Sequence, residues 1–320
     1  MKFLSLVLST LVLATVASCG GGGGDGGGGA PTPAPASIVL LAGSLDTSGQ
    51  ADGLGAAARF NSPSSVAAMA DGTLRIADTN NALVRRVTME GAVSTLTYTT
   101  LNLRELGQSV TALAALPGGD FIASRIFNTH AYDLVRINPQ GQLRSMALTW
   151  AAAMASGPDG ILYFAGGNSN QIDRLYSNET RDVLVSGFQS SALAVDAAGN
   201  VYSAGFDHAI RRIDTSGAVQ IWAGQPGSAG FADGARTAAR FDRISAMTFD
   251  NAGQLYVADA TTVRRISLDG QVKLIAGTPG QGQTQFGPLP GTVGGIKGLA
   301  WMSGSLYATA GHAIVRIGPL

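Results

Sequence analysis

The chain has 320 residues, of which 45% are apolar and 13% are charged, and its 21 basic residues balance its 21 acidic ones. A surface this weakly charged argues against nucleic acid as a partner, because binding to phosphate backbones needs clustered lysine and arginine. The single cysteine excludes an internal disulfide. The 44 glycines punctuate many short apolar runs, which is typical of an all-β fold.

The first 18 residues have the features of a signal peptide. Lys2 gives a positive start, and the apolar stretch from Phe3 to Val16 is too short to span a membrane. The stretch ends in Val16-Ala17-Ser18-Cys19, which resembles a bacterial lipobox. The resemblance implies cleavage before Cys19, diacylation of its thiol and acylation of its new amino terminus. An ordinary secretory signal followed by an incidental cysteine is the alternative.

Residues 19–36 form the second predicted segment. A run of glycines broken by Asp25 precedes Ala30-Pro-Thr-Pro-Ala-Pro-Ala36, so a flexible tether leads into a stiffer, polyproline-like segment. A lipid on Cys19 would let the following domain stand off the membrane. Gly20 rather than an aspartate follows the cysteine. By the sorting rules of enteric bacteria, this favours the outer over the inner membrane of a bacterial cell envelope.

Residues 37–320 contain one pattern six times. A glycine turn leads into a short apolar strand, and after a loop a second apolar strand carries an arginine. The copies recur at intervals of roughly 40 to 55 residues, which is typical of repeat architectures such as propellers. The glycines and their arginines are Gly72 with Arg86, Gly119 with Arg136, Gly160 with Arg174, Gly199 with Arg212, Gly253 with Arg265 and Gly304 with Arg316.

Each complete copy has four short strands, which make one antiparallel blade. The last copy stops after its third strand, near Ile317, and a match for its missing strand lies at the start of the domain. That match is Val39-Leu-Leu-Ala-Gly43, which parallels Gln220-Ile-Trp-Ala-Gly224 and Lys273-Leu-Ile-Ala-Gly277. We therefore predict an all-β, six-bladed β-propeller of four-stranded blades. The N-terminal strand at about residues 37–43 completes the last blade and removes its exposed edge.

The loop after that strand also occurs twice. Ala51-Asp-Gly-Leu-Gly-Ala-Ala-Ala-Arg-Phe60 matches Ala232-Asp-Gly-Ala-Arg-Thr-Ala-Ala-Arg-Phe241, and Asp250-Asn-Ala-Gly-Gln-Leu-Tyr-Val-Ala-Asp259 follows the second copy. Together with the blades, these segments resemble the NHL-repeat family over nearly all of residues 37–320. The match is strongest in blades one, four and five. The resemblance implies a propeller that binds proteins or peptides.

The histidines raise the question of a metal site. His130, His208 and His312 precede the arginine strands of alternate blades, so a three-fold metal site is one reading. Such a site resembles that of the amidating lyase, a six-bladed relative whose three zinc histidines begin the innermost strands of alternate blades. The equivalent positions here carry no histidine and lie near Ser64, Val110, Ala152, Ser191, Ser245 and Ile296. His208 and His312 instead match the histidine slot of NHL repeats, so we expect them to be structural.

Other side chains give no clear catalytic group. No acid begins an inner strand, as the cation site of a gluconolactonase-like propeller would require. We therefore predict no catalytic residue, no metal ligand and no cofactor. The six repeat arginines could line an anion-binding surface, but a planar fork of donors suits bonds within blades. We expect the structural role, with Asp78 and Asp259 as partners of Arg86 and Arg265.

Three functions remain open. The first is a monomeric, lipid-anchored binding or scaffold protein that holds an envelope protein, a peptide or a small ligand at a rim or in the funnel. Its candidate ligand-binding residues, in loops before the arginine strands, are Asn81, Phe127, Asn170, Phe206 and His208. The alternative is a metal-dependent propeller enzyme of lyase or lactonase type acting in the funnel. The third is a sensor domain for a sugar or another small metabolite.

Overall fold

A computed structural model describes residues 35–98, 109–128, 131–147, 149–166 and 170–320. These residues form six antiparallel sheets, and each sheet is one blade of a six-bladed β-propeller. The predicted fold is confirmed. The predicted signal peptide, Cys19 and almost all of the linker lie outside the described residues. No helix among those residues has the length and apolar character needed to cross a membrane.

The strands of blades one to three follow in chain order after β1 (Ser37–Ser44), which belongs to blade six. Blade one contains β2 (Gly53–Leu54), β3 (Ser65–Ala68), β4 (Leu74–Asp78), β5 (Leu83–Val87) and β6 (Ala92–Thr95), with 3-10 turns at Gly55–Ala57 and Thr79–Asn81. Blade two contains β7 (Ser109–Ala115), β8 (Phe121–Asn128), β9 (Ala131–Ile137) and β10 (Leu143–Ala147). Blade three contains β11 (Ala153–Ser156), β12 (Leu162–Ala165), β13 (Gln171–Leu175) and β14 (Arg181–Ser186).

Blades four to six complete the ring. Blade four contains β15 (Ala192–Val195), β16 (Val201–Ala204), β17 (Ala209–Ile213) and β18 (Val219–Gly224). Blade five contains β19 (Gly234–Ala235), β20 (Ile244–Phe249), β21 (Leu255–Asp259), β22 (Thr262–Ile266) and β23 (Gln271–Gly277). Blade six contains β24 (Gly287–Pro288), β25 (Leu299–Met302), β26 (Ser305–Ala310) and β27 (His312–Gly318), together with β1.

The N-terminal strand closes the ring. β1 pairs antiparallel with β27, so that Ser37 lies opposite Gly318 and Ser44 opposite His312. Ile38 and Ala42 on this strand are fully buried. The prediction that blade six is split between the two ends of the domain is confirmed, and the first described strand is therefore part of the core.

Three blades carry a short fifth strand that the sequence pattern does not predict. β2, β19 and β24 pair with the outermost strands of blades one, five and six. Each comes from the long connection that precedes its blade. Pairing of this kind satisfies part of the outer sheet edge.

The core is divided among the contacts between blades. Six clusters of buried apolar side chains occur, one between each pair of neighbouring blades around the ring. Phe60, Leu74 and Ile314, for example, meet between blades six and one. A blade cannot bury both of its faces alone, so the ring is the unit of stability.

The shared Ala-Gly ending of three outer strands has a structural cause. The register shifts by one residue at Leu41, Trp222 and Ile275, each of which is a bulged residue beside the third strand of its blade. The strand then turns at a glycine with positive φ, +96° at Gly43 and +78° at Gly224. A β-carbon at either glycine would lie 2.6 Å from a carbonyl oxygen of the neighbouring strand. Only glycine fits there.

Candidate functional site

The two faces of the ring differ in their connections. In each blade the innermost strand begins on the face that also holds the loop between the second and third strands. We call this the mouth face. In blade one the Ser64 and Thr79 hydroxyls meet on this face at 2.5 Å. The loops that were predicted to bind a ligand therefore surround one end of the central channel.

The channel is lined, in each blade, by three consecutive residues at or just before the start of the innermost strand. The first of the three, at the mouth face, are partly or fully exposed in every blade, and we call them the mouth layer. The mouth layer consists of Ser64, Thr111, Ala152, Ser191, Ser245 and Lys297. Most of the residues below are buried: a second layer of Ser65, Gly298 and four alanines, and a third of Val66, Leu113, Met154, Leu193, Met247 and Leu299. The channel is therefore a shallow polar well with an apolar floor.

Hydroxyl groups of the mouth layer link neighbouring blades. Ser64 Oγ donates to the Thr111 carbonyl at 2.8 Å, and Ser245 Oγ donates to the Ile296 carbonyl at 2.7 Å. Ser191 Oγ donates to the Ile244 carbonyl at 3.1 Å. Because a hydroxyl has only one proton to give, these oxygens can act toward a ligand only as acceptors, and Ser64 Oγ also accepts from the Thr79 hydroxyl.

The link between Thr111 and blade three is longer. Thr111 Oγ1 donates to the Ala151 carbonyl at 3.3 Å, and the indole N–H of Trp150 donates to the same hydroxyl at 3.3 Å. Blade three itself contributes Ala152 to the layer, which offers no hydroxyl. At four of the six mouth-layer positions, a side-chain hydroxyl thus donates a hydrogen bond to the neighbouring blade.

Blade six contributes the one charged residue among the channel-lining residues, Lys297. The sequence predicts the corresponding position near Ile296, and that of blade two near Val110. Both of those side chains are buried in the apolar clusters between blades, and the first lining residue is the next one along, Lys297 or Thr111. A shift of one residue therefore decides what the channel contains.

The candidate ligand-binding residues lie at the mouth face of four different blades, in loops except for Phe127, which lies near the end of β8. Phe206 is 70% exposed, and Asn170 is exposed as well. The Asn81 amide donates to the Gly49 carbonyl at 2.7 Å and to Asp78 Oδ2 at 2.8 Å, so both of its N–H groups serve the blade. The Phe127 side chain lies outside the described part of the structure. Their role in binding stays a prediction.

Two histidines join loops of adjacent blades. His208 Nδ1 lies 2.5 Å from the Asp242 carbonyl, and His312 Nδ1 accepts from the Ser62 N–H at 3.0 Å. His208 therefore donates through Nδ1 while His312 accepts through it. These bonds support the structural role that the sequence indicates. His130 lies outside the described residues.

The acid partners of the arginines correct the sequence prediction. Asp78 pairs with Arg85 rather than Arg86, at 2.8 Å, and Asp259 pairs with Arg264 rather than Arg265, at 3.4 Å. In β4 and β5, Ile76 lies opposite Arg85, so Arg85 shares a sheet face with Asp78, two residues further on. The neighbouring arginine points to the other face.

Arg85 and Arg264 each fasten the preceding connection to their blade. The Arg85 guanidinium also binds Asp52 at 2.6 Å and the Ala51 and Arg59 carbonyls at 3.0 Å. It lies 5.2 Å from the centre of the Phe60 ring. The matching loop of blade five is held in the same way by Arg264, through Asp233 at 2.7 Å and the Ala232 and Arg240 carbonyls. The repeated loop motif, residues 51–60 and 232–241, is therefore a clasp: a connection that a buried arginine binds to the blade that follows it.

The two carboxylates on Arg85 have different environments. Burial raises the pKa of Asp78, and its bonds from the Asn61 N–H, Asn81 and Arg85 offset only part of that effect. Burial also acts on Asp52, but bonds from Thr95 and Arg85 outweigh it and lower the pKa of Asp52. Both groups are used within the clasp and neither lines the channel.

The channel does not have the donor set of a catalytic metal centre. Zinc and calcium sites use imidazole, thiolate or carboxylate ligands, and the lining residues include none of these. Across the described residues, no group of three or more such side chains is placed to hold a metal ion. The residues present do not fit the metal of the enzyme alternative.

Comparisons with known proteins define the fold. No protein-family model matches the chain, and no curated protein sequence matches it. A Bacteroides thetaiotaomicron protein of unknown function is similar in structure over 88% of this chain and 75% of its own, with 19% identity and a TM-score of 0.75.

Two further similar structures are those of proteins with a named function. An auxiliary nutrient binding protein from Bacteroides ovatus matches 89% of this chain and 76% of its own, with 16% identity and a TM-score of 0.73. A gluconolactonase from Xanthomonas campestris matches 88% and 89%, with 14% identity and a TM-score of 0.59. At these identities the likeness establishes the architecture, a six-bladed propeller, and leaves function to the site.

Proposed function

We propose that the protein is a lipid-anchored binding protein of the bacterial envelope that takes its ligand at the mouth face. The observation that carries this proposal is the polar, exposed mouth layer above a buried floor of small and apolar residues. Such a well can hold one end of a ligand while the surrounding loops contact the rest. The Bacteroides ovatus neighbour, an auxiliary nutrient binding protein, has a function of the same kind.

Recognition by the rim would use exposed aromatic side chains. Phe206, 70% exposed, projects from a mouth-face loop where water would favour a polar residue. Aromatic side chains with this exposure are frequent anchors of binding surfaces. The resemblance of the repeats to the NHL family, which includes protein-binding and peptide-binding propellers, supports the same face.

The lactonase and lyase alternative has less support. Its metal would need acids or imidazoles in the channel, and the lining residues supply hydroxyls, a lysine and apolar groups. The fold alone does not favour an enzyme, because one propeller architecture carries many unrelated activities. We therefore assign binding rather than hydrolysis to the well.

The anchor follows from Cys19 and the tether. We propose that the cysteine is lipidated, that residues 1–18 are removed and that the propeller faces the envelope from the outer membrane. Two or more acyl chains give stable anchoring, whereas one gives only weak attachment. In cells fed a clickable palmitate, the wild-type chain should incorporate label and sediment with outer membranes. Cys19→Ser should do neither, and label that persisted in this variant would contradict the anchor.

Photo-crosslinking in intact cells tests the binding face. A photoreactive amino acid at Phe206 samples the mouth face, and the same residue at Leu268 is a matched control, because Leu268 is 74% exposed and lies in the turn between β22 and β23 on the opposite face. We expect a defined product, identified by mass spectrometry, from position 206 and none from 268. Equal products from both positions, or a product from 268 alone, would overturn the assignment of the face.

A further inference from the structure

Lys297 breaks the pattern of the mouth layer. The other five positions hold Ser, Thr or Ala, and among the described residues Lys297 is the only charged one that lines the channel. Its side chain is exposed. Within the described residues, none of the ion pairs involves its ammonium. The well therefore has one positive charge with no carboxylate against it.

The packing of blade six against blade one leaves this side chain available. In four other blades a mouth-layer hydroxyl bridges to the next blade, but here the backbones themselves meet: a β-carbon at Gly298 would lie 2.8 Å from Ser65 Cα. The Lys297 and Gly298 N–H groups both donate to Thr309 Oγ1, at 3.2 and 3.0 Å. Backbone bonds and contacts hold this segment in place, so the fold does not require a bond from the Lys297 ammonium.

The size and polarity of the well limit what the ammonium can bind. The cavity has a volume of about 80 Å³, which corresponds to a handful of water molecules and is too small for a whole sugar or a peptide residue with its side chain. The Ser64, Ser191 and Ser245 hydroxyls of the mouth layer donate their protons to carbonyls, so their oxygens can act toward a ligand only as acceptors. A doubly charged phosphate would face these lone pairs with only one compensating charge.

We propose that Lys297 binds the carboxylate of a ligand whose neighbouring N–H or O–H groups donate to the mouth-layer hydroxyl oxygens. A monovalent carboxylate matches the single ammonium in charge and the well in size. An N–H or O–H group one or two bonds from that carboxylate can donate to the hydroxyl oxygens of the mouth layer. This inference rests on the proposed function and names the chemistry by which the ligand enters the well. The chain terminus of a peptide and a small hydroxy acid share this chemistry.

The lysine content of the chain makes a direct test possible. Beyond Lys2 the sequence has only two lysines, Lys273 and Lys297, and Lys273 on β23 is exposed as well. In the mature chain carrying Cys19→Ser, reductive methylation with 13C-formaldehyde gives one signal for each lysine and one for the terminal amine, and Lys297→Met identifies the Lys297 signal. N-acetylglycine and glycolate then represent the two ligand sources, and acetamide is the uncharged control.

We expect the Lys297 signal to shift saturably with N-acetylglycine, with glycolate, or with both, while acetamide leaves it in place. The Lys273 signal should change only with ionic strength. A linear response of equal size at both lysines, or an equal effect of acetamide, would overturn the inference. If crosslinking at Phe206 still captured a partner in that case, the binding face would stand and only the carboxylate chemistry would fall.

Discussion

Arg85 and Asp78 form an ion pair of 2.8 Å in which both side chains are completely excluded from solvent. They lie on one face of neighbouring strands in blade one and, with Asp52, fasten the connection from blade six. Blade six has no such pair. The register that sets Ile76 opposite Arg85 sets Ala308 opposite Val315, and Ala310 stands where blade one has Asp78. The same position is thus ionic in one blade and apolar in another.

The first prediction concerns the coupling within this pair. Arg85→Met leaves Asp78 buried without its cation, which typically costs about 3 to 5 kcal/mol. The double variant, Arg85→Met with Asp78→Val, has apolar side chains at both positions, as blade six does. We therefore expect the double variant to be less destabilised than the sum of the two single variants, by about 1 to 3 kcal/mol.

Urea unfolding of the four proteins, wild type included, measures this coupling. Asp78→Val alone also frees the Asn61 N–H, which donates to Asp78 Oδ1 at 2.7 Å, so full recovery is not expected. Strictly additive effects would contradict the view that Arg85 and Asp78 act as one unit.

The second prediction is an order of protonation. The pKa of Asp78 is raised above its ordinary value of 3.8, mainly by burial, and that of Asp52 is lowered below it by bonds from Thr95 and Arg85. Acidification should therefore protonate Asp78 first. Carbon-detected NMR titration of the aspartate carboxyls measures both midpoints, and an Asp52 midpoint above that of Asp78 would refute the assignment.

The stability consequence for Asp52 has a definite sign. Its folded pKa lies below the unfolded value, so its contribution is present above about pH 4 and is lost as pH falls through the folded pKa. Asp52→Asn should thus lower the free energy of unfolding at neutral pH. The difference in this free energy between the variant and the wild type should become smaller in acid.

The third prediction separates backbone conformation from close approach. Gly224 and Gly72 have similar φ values, +78° and +74°. A β-carbon at Gly224 would meet the His208 carbonyl oxygen at 2.6 Å, whereas one at Gly72 would meet no atom within 4 Å. Both variants place an alanine at positive φ, which costs about 1 to 2 kcal/mol, and Gly224→Ala also forces β18 away from the neighbouring strand.

Thermal unfolding should therefore place Gly224→Ala well below Gly72→Ala in Tm. A difference of several degrees corresponds to roughly 1 kcal/mol or more at this chain length. Equal losses in the two variants would mean that the Ala-Gly ending of the outer strands is set by conformation alone.

The repeats allowed the fold to be predicted because each local signal agreed with the ring. The match of Val39-Leu-Leu-Ala-Gly43 to two other outer strands identified the strand that closes blade six. The bulge at Leu41 and the crowded turn at Gly43 explain that match. The short strands β2, β19 and β24 were missed because two paired residues leave no pattern.

The site was less predictable because it depends on single-residue register. Asp78 was assigned to Arg86 and not Arg85, since adjacent arginines look equivalent until the strand pairing fixes which one shares its face. Lys297 was missed for the same reason. Its only sequence signal is that it is one of two lysines after residue 2 and stands at the start of an inner strand.

The central claim is that the ligand occupies the mouth layer, and filling that layer tests it most directly. Ala152 is exposed and makes no side-chain bond, so Ala152→Trp should cover the open mouth of the well without breaking the ring. The measurement is the yield of the crosslinked product from Phe206, with Leu268→Trp as the control and unfolding Tm as the check on folding. We predict a loss of about ten-fold or more, as expected when roughly 1.4 kcal/mol of affinity is removed, in Ala152→Trp alone. An unchanged yield in a folded Ala152→Trp protein would contradict the account.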